Sequence, residues 1–141
     1  MQHVAIMKKS WGLISKIVSG EKTIESRWYQ KKTVPWDKIK KGDTVFFKDA
    51  GEPVTAKAIV DAVKQIAFKN NSEVKEAVLR YGKRIYFEKT GLKNFEHVPN
   101  YCILVFLKDA KFLKKPFRID KRGFGNASAW LITKNIKNIT L

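Results

Sequence analysis

Apolar residues in this chain fall into two rhythms, and the strand rhythm dominates. Gln2–Met7 (QHVAIM), Thr44–Lys48 (TVFFK) and Ser128–Thr133 (SAWLIT) are short, rich in β-branched and aromatic residues, and bounded by turn formers, as strands are. Asn100–Leu107 (NYCILVFL) is the most apolar run and is expected to lie at the centre of a sheet. Val54–Phe68 contains alanines that suit a helix as well, yet its strand neighbours and the Asp49–Glu52 hairpin before it argue for one long, bent strand. Helical spacing occurs twice. Trp11, Ile14, Ile17 and Val18 form one stripe, with Ser10 as N-cap and Gly20 as the stop. Ser72–Tyr81 forms the other, with Ser72 as N-cap, Val74, Val78 and Tyr81 as its apolar face and Gly82 as its end.

Between these elements lie a basic loop (Tyr29–Val34) turned by Pro35 and Trp36, a turn at Lys40–Asp43, a loop over Thr90–His97 and a turn-rich stretch from Pro116 to Gly125. Tyr86–Glu88 reads as a short helical or extended piece, and Asn135–Leu141 as a tail or short helix. No repeat, linker or internal boundary interrupts residues 1–141. Many strands with two inserted helices predict an α+β fold, a single domain built on a mixed β-barrel with flanking helices.

Charge changes the picture most. Lys and Arg number 29 against 13 Asp and Glu, a formal net charge of +16. Such an excess repels itself and points to a polyanionic partner, nucleic acid first and an anionic membrane surface second. A lysine-rich proteome is the plain alternative. The one cysteine, Cys102, cannot form an internal disulfide, and His3 and His97 have no neighbours at metal-ligand spacing. No apolar run reaches the ~20 residues of a membrane span, and the chain opens without a signal peptide. The expectation is a soluble cytoplasmic protein with no metal, no cofactor and no membrane partner.

The candidate chemistry concentrates in Gly20–Trp28 (GEKTIESRW). In a strand, Thr23, Glu25 and Arg27 share one face and Ile24, Ser26 and Trp28 the other. Arg27 offers a planar fork of donors for a phosphate or a base edge. Glu25 can accept from an exocyclic amine and orient Arg27, while Lys22 adds a point charge. A surface ion pair worth ~0–1 kcal/mol is the plain alternative. Trp28, Trp36, Phe124 and Trp130 offer faces on which bases stack, or simply core; Trp11 reads as core. Lys111–Gly125 interleaves Lys111, Lys114, Lys115, Arg118, Lys121 and Arg122 with aromatics, as a surface tracking single-stranded RNA does. Ser10 and Ser128 lack a partnered histidine, which argues against a Ser/His/Asp hydrolase, and Gly123–Phe124–Gly125 is too short and too late to be a dinucleotide fingerprint.

The string Gly20, Lys22, Thr23, Glu25, Arg27, followed by Gly42–Asp43, resembles the hallmark of the ASCH family of the PUA-like superfamily. The stretch Lys114–Leu131 also resembles the tail of PUA-like relatives, where a glycine-rich turn and a tryptophan border a cleft. Residues from about Gln65 to Pro99 carry no resemblance. The family implies a PUA-like barrel with a helix beside the cleft and RNA-linked functions. One branch resembles an amidohydrolase for acetylated cytidine using a lysine, a threonine and a glutamate. Lys22 matches the lysine, but Glu25 stands where that branch has its threonine, and Glu73 or Glu76 cannot be aligned with its glutamate. Ribonuclease activity is also associated with the family. The resulting expectation is an RNA-binding or nucleotide-binding module for single-stranded RNA or structured RNA with exposed bases. Its cleft would be lined by Lys22, Glu25, Arg27, Trp28 and Trp130 and closed by Lys121, Arg122, Gly123, Phe124 and Gly125. The alternative is a small hydrolase of a modified nucleoside or a ribonuclease, with Lys22 and Glu25 as its catalytic pair.

Overall fold

The computed structural model describes residues 1–86, 97–125 and 128–141. Six strands form one mixed sheet: β1 (Gln2–Met7), β2 (Ile24–Tyr29), β3 (Thr44–Asp49), β4 (Val54–Ala67), β5 (Tyr101–Phe117) and β6 (Trp130–Thr133), in the order β2-β5-β4-β3-β1-β6. β1 and β3 run parallel, and every other pairing is antiparallel. The sheet curls into a half-barrel, and the expected barrel-like α+β class holds.

The curl has a visible origin in the register. β4 and β5 slip at Val54/Ala56, Lys57/Ile59 and Val60/Ala62, and each bulge bends and twists the pair. At one of them Asp109 sits at φ 54°, a left-handed conformation that aspartate tolerates better than most residues. The bulges also explain why the charged Lys108–Lys115 segment and Pro116, expected to be loop and turn, continue β5. Proline is tolerated where the ladder is already interrupted.

Side-chain alternation sorts the core into two faces. Ala5, Val45, Phe47, Ala56, Ala58, Val60, Ile103 and Val105 line the concave face. α1 (Leu13–Ser19) plugs it with Leu13, Ile14 and Ile17, all buried. α1 starts at Gly12 (φ 62°) rather than after Ser10, because Lys9–Trp11 forms a separate 3-10 turn; Gly20 (φ 85°) ends it as expected. On the convex side α2 (Asn71–Ile85) covers β2 and its neighbours, burying Ile24, Ile85, Cys102 and Leu104. Its cap is Asn70, whose side chain accepts from the Glu73 amide at 3.0 Å, not Ser72. The helix runs through Gly82 and stops at Tyr86 (φ 61°). The tail contributes a 3-10 turn at Ile136–Asn138. Most of the Tyr86–Glu88 and Thr90–His97 expectations fall outside the described residues. Among those described, no helix is long and apolar enough to cross a membrane.

Candidate ligand pocket at the barrel seam

β2 lies at one edge of the sheet and β6 at the other, so a half-barrel has a seam where these edges approach. Arg27 spans it. Its Nη2 donates to the carbonyl oxygen of Ile6 on β1 at 3.4 Å and contacts Met7 Sδ at 3.6 Å; its Nη1 donates to the Ala129 carbonyl, beside β6, at 3.4 Å. The guanidinium also lies 5.1 Å from the centre of the Trp130 ring, a cation–π contact. The alternation predicted for β2 holds, with Glu25 and Arg27 on the concave side and Ile24 and Trp28 on the side packed against α2.

A pocket of about 240 Å³ opens at this seam, lined by Ile6, Met7, Lys8, Trp11, Leu13 and the five consecutive residues Glu25, Ser26, Arg27, Trp28 and Tyr29. Glu25 is almost wholly buried, only 3% exposed. Its Oε1 accepts from the Ser26 amide at 3.0 Å and lies 3.7 Å from Lys22 Nζ, and its Oε2 lies 3.8 Å from Arg27 Nη2. Within hydrogen-bond range, Glu25 Oε2 and Arg27 Nε are both buried without a partner among the described residues. Buried polar atoms without partners are costly, and these two belong to residues that line the pocket.

Lys22 is placed differently from expectation. It is 1% exposed and absent from the pocket wall. Its amine donates to the carbonyl oxygens of Ile24 at 2.9 Å and Ile85 at 2.6 Å. The Ile85 carbonyl belongs to the last turn of α2, where helix carbonyls lack partners, so Lys22 clamps that helix end to the start of β2. The Thr23 amide donating to the Arg84 carbonyl at 3.0 Å and Arg84 Nε donating to Thr23 Oγ1 at 3.0 Å complete the clamp. Burial lowers the Lys22 pKa from its ordinary value, with Glu25 opposing that shift and Arg27 adding to it. Lys22 thus stands behind Glu25 as its buried counter-charge and offers no free point charge to phosphate.

Trp130 is a seam residue. Buried at 3% exposure, it presents a ring face to Arg27 while its Nε1 donates to His3 Nδ1 at 3.0 Å. That bond requires Nδ1 to be the acceptor, so the proton sits on Nε2, which donates to Asp43 Oδ2 at 2.9 Å. Burial lowers the His3 pKa, against the raising influence of Asp43. The Asp43 carboxyl is held below its usual range by His3 and the Lys40 amide, which outweigh the opposing effect of its burial. Asp43, in the turn before β3, therefore anchors the tryptophan beneath Arg27 through His3.

The Lys121–Gly125 turn lies apart from the pocket wall. Arg122 is paired with Asp120 through Nη2 to Oδ2 at 2.6 Å, Lys121 Nζ donates to the Ser128 carbonyl at 3.2 Å, and Phe124 packs on the convex-side cluster of Val4, Phe46 and Leu131. Trp36 contacts Tyr101 edge-on. Missing from the sequence-based set were Lys8, Trp11 and Tyr29. The Lys8 amine lies over Trp11, at 5.6 Å from its ring centre. The Tyr29 hydroxyl donates to the Val34 carbonyl at 3.1 Å, and burial raises its pKa.

The architecture matches solved structures. The ASCH protein of Zymomonas mobilis is 19% identical, aligned over 97% of this chain and 91% of its own, with a TM-score of 0.68. Two single-residue variants of that protein superpose with TM-scores of 0.69 over the same 97%. The chain has the ASCH fold. That fold was the one implied by the Gly20–Arg27 string, and the alignment covers 97% of the chain. No protein-family model matches the sequence, and no curated protein matches it at a significant level.

Proposed function

We propose that this ASCH-fold protein binds nucleic acid, RNA foremost, by taking an unpaired base or nucleotide into the seam pocket. The observation that carries this reading is a pair of buried, unpartnered atoms, Glu25 Oε2 and Arg27 Nε, in two residues that line the pocket. Glu25 accepts from an exocyclic amine such as that of cytosine, and Arg27 donates to a neighbouring ring nitrogen or carbonyl. Trp11 and Tyr29 supply aromatic walls, and the net charge of +16 supplies the long-range attraction for a polyanion. The cytoplasm is the compartment where such a partner is met. Residues Lys121 to Gly125 belong to the outer approach of the ligand rather than to the pocket.

The hydrolase alternative has less support. Lys22, its proposed base, spends two donors on backbone carbonyls and stands outside the pocket wall. Incubation with acetylated cytidine and with labelled RNA tests it directly. Turnover abolished by Lys22→Met in a folded protein would replace the binding reading with a catalytic one.

The binding reading is tested by fluorescence anisotropy on a short single-stranded RNA, with competition by nucleoside monophosphates. Glu25→Gln and Arg27→Leu are each expected to weaken binding about 10-fold or more, since hydrogen bonds to charged groups contribute about 1.5–3 kcal/mol. Cytidine monophosphate should compete better than uridine monophosphate, which lacks the amine. Unchanged affinity in both variants would remove the pocket from the mechanism.

A further inference from the structure

A second feature lies on the convex face of the sheet, away from the seam pocket's interior. Lys57 on β4 stands directly opposite Lys111 on β5, and Phe46 on β3 is the next partner of Lys57 across the sheet. Like charges directly opposite one another destabilise an antiparallel pair. Lys48 belongs to the same face, opposite Val54, which packs with Phe46 in the convex-side cluster. Lys48 is only 7% exposed, yet among the described residues its amine has no hydrogen bond and no ion pair. Its ammonium is disfavoured first by burial and then by the nearby charges of Lys121 and Arg118, with Asp49 and Glu52 opposing. Those two carboxylates are poorly placed to serve it. Glu52 is bonded to Lys9 at 2.8 Å, and Asp49 belongs to the opposite face, where it borders the cleft at Ile14 and Phe112. Among the described residues, Arg118 and Lys121 reach only backbone carbonyls, at Gly51 and Ser128.

Five cations thus share one face with no carboxylate paired to any of them among the described residues. Self-repulsion of this kind is relieved by an external polyanion. We propose that the convex face carrying Lys48, Lys57, Lys111, Arg118 and Lys121 is a phosphate-binding track for single-stranded nucleic acid. Its position favours that partner. Lys48 is the register partner of Ile6, and Ile6 both lines the seam pocket and accepts a hydrogen bond from Arg27. A strand whose base enters the pocket therefore meets Lys48 beside β1, and can continue across the sheet to Lys57 on β4 and Lys111 on β5. An anionic membrane surface is disfavoured because the apolar residues of this face, Phe46, Val54 and Ile119, are buried beneath the C-terminal segment and present nothing for a bilayer to receive.

The test is the salt dependence of binding to a 12-nucleotide single-stranded RNA, measured for the intact chain and for Lys57→Gln/Lys111→Gln. Each phosphate contact to a single strand contributes about 0.7 to the slope of log affinity against log salt, so the double variant should lose about 1.4 from that slope. Its melting temperature should hold or rise as the repulsion is removed. Lys48→Gln, combined with Arg118→Gln, should reduce the slope similarly. Mononucleotide binding should be unchanged in all of these variants, which separates the track from the pocket. If mononucleotides fail to bind at all while the slopes fall as stated, the pocket reading fails and the track stands. Unchanged slopes in both double variants would overturn the track. Loss of binding to vesicles of phosphatidylserine and phosphatidylcholine, with RNA slopes unchanged, would reassign the face to membranes and overturn it likewise.

Discussion

Lys22 and Glu25 are a buried pair of opposite charge, and their burial decides what substitutions there would do. Removing one member of such a pair leaves the other uncompensated in a medium that solvates it poorly, typically at a cost of 3–5 kcal/mol. Lys22→Ala is therefore expected to destabilise the protein by about that amount in urea denaturation, more than a surface ion pair could account for. Pairing Lys22→Met with Glu25→Gln should recover part of the loss, because the second change removes the stranded charge. At this scale the sequence was informative about which face each β2 side chain takes and silent about their partners. Spacing placed Glu25 and Arg27 on one face, and they are there. It gave no hint that Lys22 would turn back to the α2 terminus, since its partner, the Ile85 carbonyl, is 63 positions away in the chain. Contacts made to backbone carbonyls leave no side-chain signature to read.

At the scale of elements, the bond chain Trp130–His3–Asp43 ties β6 to β1 and to the turn that starts β3. It also carries a pH dependence whose sign follows from the geometry. In the folded protein the His3 pKa is lowered from its ordinary 6.5, because burial disfavours the charged ring by more than Asp43 favours it. The unfolded chain therefore takes up a proton first as the pH falls below 6.5, and stability declines from there toward the folded pKa. Above 6.5 this contribution is fully present. Asp43 adds a separate loss only at lower pH, below its ordinary 3.8, because its folded pKa is depressed. Denaturation midpoints at pH 5 and pH 7.5 should show the difference, and His3→Gln should flatten it. Element identity was readable wherever local pattern ruled, as in β1, β3, the long β4 and the glycine that ends α1. It failed where tertiary pairing overrode composition. The charged half of β5 is a strand because β4 supplies a partner, and Pro116 survives in it because a bulge removes the need for its N–H. The cap of α2 was misplaced by two residues because Asn70 and Ser72 are both good caps, and only the Glu73 amide decides between them.

For the whole molecule, charge is the governing quantity. A net charge of +16 over 141 residues destabilises the compact state through self-repulsion that salt screens over roughly 10 Å at 0.1 M. The melting temperature of the free protein should therefore rise with added salt, as measured by thermal scanning, while its affinity for RNA falls over the same range. A protein whose stability dropped with salt would contradict the view that its cations are mostly unpaired. Composition announced this excess of charge, and the Gly20–Arg27 string announced the ASCH fold. The seam itself was beyond reach, because it arises from strand order and curl that bring Arg27 within reach of Ile6 and Ala129. The clasp across that seam has one more consequence. Its three polar contacts, at 3.4, 3.4 and 3.6 Å, are at the long, weak end of hydrogen bonding. A guest drawing Arg27 toward itself would trade weak holds for strong ones and slacken the ring it enters. Filling the pocket and fastening the barrel then compete for one side chain, and amide exchange of Ile6 on binding would register the exchange of grips.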